Sequence, residues 1–443
     1  MLRRLAALLL LAGCATAVPP RLVQNINALT AKVPHALWGI VVEDDAGRRL
    51  YEKNASTLFI PASKRKLFSG ATAASCLGFE QQLTTDVFLD GNDLVLRGGG
   101  DPSFGGRWTF DRDALFAPVV AALRARGLGA IAGDVVADVS AFDRITLPPQ
   151  WEIEDVGSSY ATPVDALAYN ENVVGIVVDD CARPVADTDP LFVPAVANIA
   201  CGDARPSIAS DAANTITLTG PTRSRFRSIN SIANPALYAA QALASALEHA
   251  GIDVRGTVRV NTTPRSYTDR IASIASPPMW QLLSVEMKPS QNLYAEMLYK
   301  DAGGGTYDGA REAERRFLTT EVRIDPAEFR FVDGSGVSAT NFVTPAAAVK
   351  LLRWMNHPAR RGAWWLILAT PGEEGTLHRR LTELAPRLRG KTGTLTGVNA
   401  LSAIVTGTGG GTRYFSIILN HHAAGSDDAQ RVIDAIAREI AAF

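Results

Sequence analysis

The sequence predicts an α+β fold: one five-stranded antiparallel sheet interrupted by a long insertion. Three observations carry this. Strand-like segments gather at the two ends of the chain, two near the start and three near the finish, so one sheet has to be assembled from both. A chain of 443 residues is too long for a single compact core. The stretch between the two ends carries its own strand and helix patterns and would be inserted as one or two small domains.

Taken in order, Leu37 to Val42, a turn about Asp45-Ala46-Gly47, and Arg49 to Tyr51 read as a hairpin. After Pro61 an apolar stripe of Leu67, Phe68, Ala71 and Ala74 predicts an uninterrupted helix. Thr85 to Leu96 is a second hairpin, turning at Asp90-Gly91-Asn92. A helix from Asp113 to Ala125, its first turn weakened by Pro118, leads to a strand from Ala130 to Ala137. Residues 186–210, rich in proline, alanine and aspartate, read as loop. A helix from Pro235 to Ala250 precedes a strand from Thr257 to Val260. The pattern turns helical after residue 284. Strands return at Lys391, at Asn399 to Thr406 and at Thr412 to Asn420, and a final helix from Ser426 sets Val432, Ile433, Ile436 and Ile440 on one face.

Three motifs stand in order along this framework: Ser63-Lys64-Arg65-Lys66, Ser290-Gln291-Asn292 and Lys391-Thr392-Gly393. Each alone occurs by chance; together they make a reactive set. Ser63 and Lys66, three apart on a helix, share a face. A serine hydroxyl is a weak nucleophile and needs a base, which neutral Lys66 supplies if burial and a nearby positive charge, Lys391 being the candidate, lower its pKa. Ser290 and Asn292 are too close for one helical face and belong to a loop or a helix start. Ser290 can relay a proton, and Asn292 can orient Lys66 and hold a substrate amide. Lys391, Thr392 and Gly393 open a strand whose free edge can pair with a peptide, Gly393 leaving room for its backbone and the two side chains binding a carboxylate. Backbone N–H groups of Ser63 and Thr394 would form the oxyanion hole.

This set resembles the active site of penicillin-binding proteins and serine β-lactamases, and the chain is similar to one branch of them. It resembles the class C low-molecular-mass penicillin-binding proteins, the D-alanyl-D-alanine carboxypeptidase/endopeptidase family, from about Trp38 to the last helix. Pro61-Ala62-Ser63, Gly98-Gly99-Gly100-Asp101-Pro102, Tyr169 to Val174, Lys288 to Glu296, Asp333-Gly334-Ser335-Gly336 and Gly375-Thr376-Leu377 match the family. So does the gap of 227 positions (290 − 63) between Ser63 and Ser290, which the family fills with inserted domains. Two positions depart from the family pattern: Gln291 replaces an aspartate and Met287 an asparagine. The resemblance implies a penicillin-binding transpeptidase-like (serine β-lactamase-like) fold, with helices on both faces of the five-stranded sheet and an insertion of about residues 84 to 284, so that the expected organisation is 1–20, a leader and linker; 21–83, the first part of the transpeptidase-like domain; 84–284, one or two smaller inserted domains; and 285–443, the second part of the transpeptidase-like domain. It implies a serine D-Ala-D-Ala carboxypeptidase acting on peptidoglycan stem peptides through an acyl-serine, with no cofactor and with β-lactams as inhibitors. The alternatives are D,D-endopeptidase action on cross-links, and less readily a β-lactamase or a non-catalytic peptidoglycan-binding lipoprotein. It further implies that Trp151, Glu154, Asp155 and Tyr160 face the mouth of the site, where Glu154 or Asp155 can pair with an ammonium group on the substrate; a solvated loop is the competing reading.

The remaining features bound location and exclude other chemistries. Arg3 and Arg4 before the apolar run Leu5 to Leu11 read as a secretory signal, too short to span a membrane. Leu11-Ala12-Gly13-Cys14 resembles a bacterial lipobox, so Cys14 is the expected lipidation site and the envelope, by export to the periplasm, the expected location; cleavage after Ala15-Thr16-Ala17 is the alternative. Cys181 and Cys201 can pair in an oxidising compartment, and Cys76 is expected as a small buried residue. With 44 basic and 45 acidic residues there is no drive toward nucleic acid. His421 and His422 read as surface residues rather than metal ligands, Gly98 to Gly100 as a turn rather than a phosphate loop, and Ser335 does not sit in a Gly-x-Ser-x-Gly elbow.

Overall fold

A computed structural model describes residues 20–443 apart from Pro149 and Pro184; Cys14 and the leader lie outside the described residues. The elements used below run α1 (Pro20–Thr30), β1 (Leu37–Asp44), β2 (Arg49–Lys53), α2 (Lys66–Leu77), β3 (Thr84–Asp90), β4 (Asp93–Arg97), α3 (Arg112–Ala125), β5 (Val135–Asp138) and α4 (Pro235–His249). They continue with β6 (Val258–Asn261), β7 (Asp269–Ala275), α5 (Met279–Met287), α6 (Asn292–Ala302), α7 (Tyr307–Thr320), α8 (Pro345–Met355) and α9 (Arg361–Ile367), and close with β8 (Leu388–Leu395), β9 (Val398–Thr406), β10 (Thr412–Asn420) and α10 (Ser426–Ala442).

The two ends of the chain do build one sheet, in the order β8-β9-β10-β1-β2, with every pairing antiparallel. Its strands are buried on both faces, and the two-residue pleat sorts their side chains between two cores. Ile40, Val42, Leu401 and Ile417 pack against Leu22 and Ile26 of α1 and Ile433, Ile436 and Ile440 of α10. Val41, Ala400, Ile404 and Ile418 pack on the other side, against Phe68 of α2, Leu283 of α5, Leu298 of α6 and Leu352 of α8.

The insertion has a second sheet, β6-β5-β4-β3-β7, and a core formed with Phe116 and Val119 of α3 and Leu243 and Leu247 of α4. Leu293 and Met297 of α6 join that core, so the helix that follows Ser290 is shared by both halves of the molecule. The expected strand from Ala130 to Ala137 is broken at residues 132–134 into two pieces, Ala130–Ile131 and Val135–Asp138. The helix of α3 runs through Pro118, capped at its start by the Asp111 carboxylate.

Three expectations are corrected. Residues 186–210 are not all loop: Asp187–Asp189, Ala195–Cys201 and Ser207–Ser210 are strands, the last two flanking Ile216–Thr222. Cys201 ends one of them and is disulfide-bonded to Cys181. Cys76 is exposed, because it falls on the outer face at the end of α2 while Ala73 and Ala74 take the inner one. The division expected at residue 284 falls inside α5, whose Met279, Leu282 and Leu283 share a core with Val41 and Phe68; we propose that the insertion closes after Ala275, where β7 ends.

Candidate active site

Ser63 lies in a single 3-10 turn, Ala62–Arg65, that leads into α2. Its neighbours are fixed from below. Arg65 is fully buried, forms a two-pronged pair with Glu314 of α7 at 2.7 and 2.9 Å, and stacks on Phe331 at 4.1 Å. Lys64 is also buried, its Nζ 2.8 Å from Ser416 Oγ in β10. Ala62 takes a left-handed backbone at φ 49°, and Gly336 presses on it so closely that a Cβ there would stand 2.1 Å from the Ala62 carbonyl oxygen.

Lys66 Nζ reaches three oxygens: Asn292 Oδ1 at 2.6 Å, the Ser335 carbonyl at 2.8 Å and Ser63 Oγ at 3.1 Å. A protonated amine would donate to all three. A neutral amine would donate to the first two, which can only accept, and turn its lone pair on the Ser63 hydroxyl. The cage therefore aims the lone pair at the Ser63 hydroxyl whenever Lys66 is unprotonated. Burial is the largest cause holding Lys66 below the ordinary lysine range; Glu286, Glu296 and Asp333 pull it back up, and Arg65 adds to the depression. The expectation named burial and the charge of Lys391 together: burial leads, and Arg65 is the positive charge that adds to it. Lys391 is itself held well below the lysine range, first by burial and then by Lys66.

Ser290 has φ 65°, a left-handed conformation costing a non-glycine residue about 1–2 kcal/mol. There its hydroxyl accepts from Lys391 Nζ at 2.8 Å. Asn292 opens α6 and donates through Nδ2 to the Tyr160 carbonyl at 2.7 Å. Gln291 caps the helix through Leu293 N–H and donates to Glu171 at 2.6 Å, and Glu171 is also held by Arg107. Glu171 reaches this position because Asn170, Glu171 and Asn172 are three successive left-handed residues. The insertion thus touches the second motif at two points, Tyr160 and Glu171.

Lys391, Thr392 and Gly393 lie in β8, at the edge of the main sheet. Gly390 exchanges both backbone hydrogen bonds with Ala369 on the outer side of the strand. By strand alternation Thr392 and Thr394 turn their N–H and C=O the same way, toward the open edge. That parity fits a peptide-pairing edge with Thr394 N–H pointing outward. Gly393 serves a different purpose from the one expected: a Cβ there would come 2.5 Å from the Pro61 carbonyl oxygen and 3.1 Å from Lys64 N, so its bareness admits the nucleophile turn, not the substrate.

The contacts that tie several of these groups together could not be read beforehand. Glu296 accepts from Gly334 and Ser335 N–H at 2.7–3.1 Å, and Asp333 accepts from Gly336 and Ser338 N–H, so the two carboxylates hold the Asp333–Ser338 loop whose Ser335 carbonyl meets Lys66. Trp151 Nε1 donates to Asp333 at 3.1 Å. Asp155 accepts from the Tyr160 hydroxyl at 2.7 Å, and Glu154 is exposed on the same short turn, Ile153–Asp155. Among the described residues no group of three or more His, Cys, Asp or Glu could hold a metal ion, and no helix is long and apolar enough to cross a membrane.

A serine–lysine pair beneath the edge of an antiparallel sheet, with helices on both faces, is the architecture of penicillin-binding enzymes and serine β-lactamases. The pattern of the D-Ala-D-Ala carboxypeptidase 3 (S13) family matches residues 22–441, and the chain belongs to that family. It is 31% identical to a D-alanyl-D-alanine carboxypeptidase of Actinomadura sp. (strain R39), over 92% of this chain and 82% of that one. Penicillin-binding protein 4 of Haemophilus influenzae superposes with a TM-score of 0.82 at 22% identity, over 94% of this chain and 98% of that one, and has also been solved with a β-lactam bound. A predatory peptidoglycan endopeptidase of Bdellovibrio bacteriovorus shares the fold at a TM-score of 0.53 and 15% identity, over 91% and 92% of the two chains. The protein is a serine-type D-Ala-D-Ala carboxypeptidase.

Proposed function

We propose that Ser63 is the acylated nucleophile, that Lys66 is its base, and that Ser290, Asn292 and Lys391 complete the catalytic set. The single observation that carries this is the Lys66 cage, which leaves the amine one free direction, toward Ser63 Oγ. Ser63 Oγ attacks the carbonyl of the penultimate D-alanine while its proton passes to Lys66. The C–N bond then breaks, and the departing D-alanine amine takes a proton through Ser290, whose hydroxyl lies against Lys391. Water hydrolyses the acyl-enzyme. Thr392, Gly393 and Thr394 form the β8 edge along which the stem peptide lies, and Ser63 and Thr394 N–H hold the oxyanion. Glu154 and Asp155 stand on the loop that delivers Tyr160 to Asn292, which supports a role in contacting the substrate side chain. Cleavage of a cross-link would use the same groups on a longer substrate.

An envelope location goes with a peptidoglycan substrate. Export to the periplasm and lipidation at Cys14 are the finer reading, carried by the leader sequence alone. Intact-protein mass spectrometry after incubation with a fluorescent penicillin tests the centre: we expect one adduct per wild-type chain and none on S63A. An adduct persisting on S63A refutes the assignment.

A further inference from the structure

Beneath the catalytic lysine lies a carboxyl group that the reaction as written does not use. Glu286, on the last turn of α5, is fully buried. It projects into space left by Gly70 of α2: a Cβ there would stand 3.1 and 3.3 Å from its two oxygens. Oε1 lies 3.2 Å from Ser69 Oγ, one helical turn beyond Lys66. Oε2 has no hydrogen-bond partner among the described residues. A buried carboxylate with a bare oxygen is costly, whereas a neutral acid is much less so.

The hydrogens can be counted. The Ser69 hydroxyl owns one proton. It lies 2.6 Å from the Gly334 carbonyl, which can only accept. The longer contact with Glu286 is then a hydrogen bond only if the carboxyl donates, which requires Glu286 to be protonated. The charged groups acting on it are Lys66 on α2, Arg65 just before α2 and Lys391 on β8, while Glu296 on α6 and Asp333 in its loop act on Lys66; burial, the largest cause, pushes Glu286 up to about 8 against the pull of those three cations.

We propose that Glu286 is a positioning residue that holds the proton Lys66 must lack: the two share one proton, and Ser63 is activated while that proton sits on Glu286. This rests on the reading of Lys66 as base. Ionised, Glu286 draws a proton onto Lys66; protonated, it leaves Lys66 a free amine. During acylation the Ser63 proton still moves to Lys66 and on to the leaving amine, so Glu286 ends the cycle with the proton it began with.

The test is the rate of penicillin acylation between about pH 5 and 10, for wild type and E286Q. Glutamine keeps the size and can donate to Ser69 but cannot ionise. Glutamine therefore mimics the protonated acid, and a Lys66 that becomes a free amine beside a neutral Glu286 should do so at the same pH in E286Q. The acid limb of the E286Q profile should lie within about 0.3 pH unit of the wild type's, with the plateau rate equal or up to a few-fold higher, while the wild type alone shows the infrared carbonyl band of a buried carboxylic acid at the plateau pH. A limb moved to lower pH by about one unit would mean that Glu286 is ionised when Lys66 loses its proton and would overturn the proposal, as would the absence of that band or an equal loss at every pH together with a lower melting temperature. Should E286Q not fold, infrared spectra of the wild type must show a carboxylic-acid carbonyl band whose frequency shifts in S69A; no such band overturns it equally. A wild type that is not acylated at any pH instead refutes the Ser63–Lys66 reading, and the proposal falls with it.

Discussion

Arg65 and Lys66 are neighbours in sequence, both fully buried, and the protein handles their charges in opposite ways. The Arg65 pocket supplies a carboxylate in direct contact, a tyrosine hydroxyl on that carboxylate at 2.8 Å, and two aromatic faces. The guanidinium is pinned in its charged form and its pKa is raised: desolvation opposes this, but Glu314 outweighs it. The Lys66 pocket supplies neutral oxygens in direct contact and leaves the carboxylates to act from a distance. The first arrangement makes an anchor, and the second is what the base proposed at Lys66 requires. The lesson is that the same burial serves structure or chemistry according to whether a full counter-charge touches the cation.

Two substitutions should separate those roles most strongly. K66M removes the base and should lower penicillin acylation about 10²–10⁴-fold, with urea unfolding unchanged or shifted to higher concentration, because an ammonium no longer has to be buried. E314A leaves the Arg65 guanidinium buried without its carboxylate and should cost about 3–5 kcal/mol in the same unfolding experiment. The comparison breaks if K66M unfolds as readily as E314A, or if E314A is as stable as wild type.

Lys64 sharpens it further. It is buried like its neighbours, has one hydroxyl as hydrogen-bond partner, and burial holds its pKa well below the lysine range. The sign follows from linkage. Between the depressed folded pKa and the unfolded value of about 10.4, the unfolded chain binds the extra proton, so stability is greatest at high pH and declines as pH falls through that window. K64M should abolish that component: its gain in melting temperature over wild type should be larger at pH 7 than at pH 10. A gain equal at both values would mean that Lys64 is charged in the folded protein.

The sequence made the motifs legible because their spacing is local. Three residues on a helix turn place Ser63 under Lys66, two residues at a helix start separate Ser290 from Asn292, and strand alternation orients Lys391 to Thr394. The sheet was readable for a similar reason, since its strands are long and buried on both faces. Ser335 and Tyr160 were singled out in the sequence, but not for the carbonyls that meet Lys66 and Asn292, because a backbone oxygen has no residue type. Glu296 and Asp333 stood inside family-matching segments with no role attached, and Glu286 is a single acid whose burial is set by distant elements. The strands Ala195–Cys201 and Ser207–Ser210 escaped notice because they are half-exposed, alanine- and serine-rich, and defined by pairing with Ile216–Thr222. Gln291, noticed only as a departure from the family, has a reason that the structure supplies.

That reason yields the smallest expected effect. The residue at 291 must cap Leu293 N–H while its other end faces Glu171. Aspartate could cap but would set a second carboxylate against Glu171; glutamine caps through its oxygen and donates through its nitrogen. Q291D should therefore lower acylation by a few-fold, roughly 1 kcal/mol for a partly screened like-charge contact. In Q291D combined with E171Q the repulsion is gone, and the rate should return close to that of E171Q alone. The Arg107–Glu171 pair, lost in both E171Q backgrounds, cancels from the cycle. A double variant showing the full sum of the two single losses would mean that Gln291 and Glu171 do not act on each other, and that the insertion reaches the second motif through Tyr160 and Asn292.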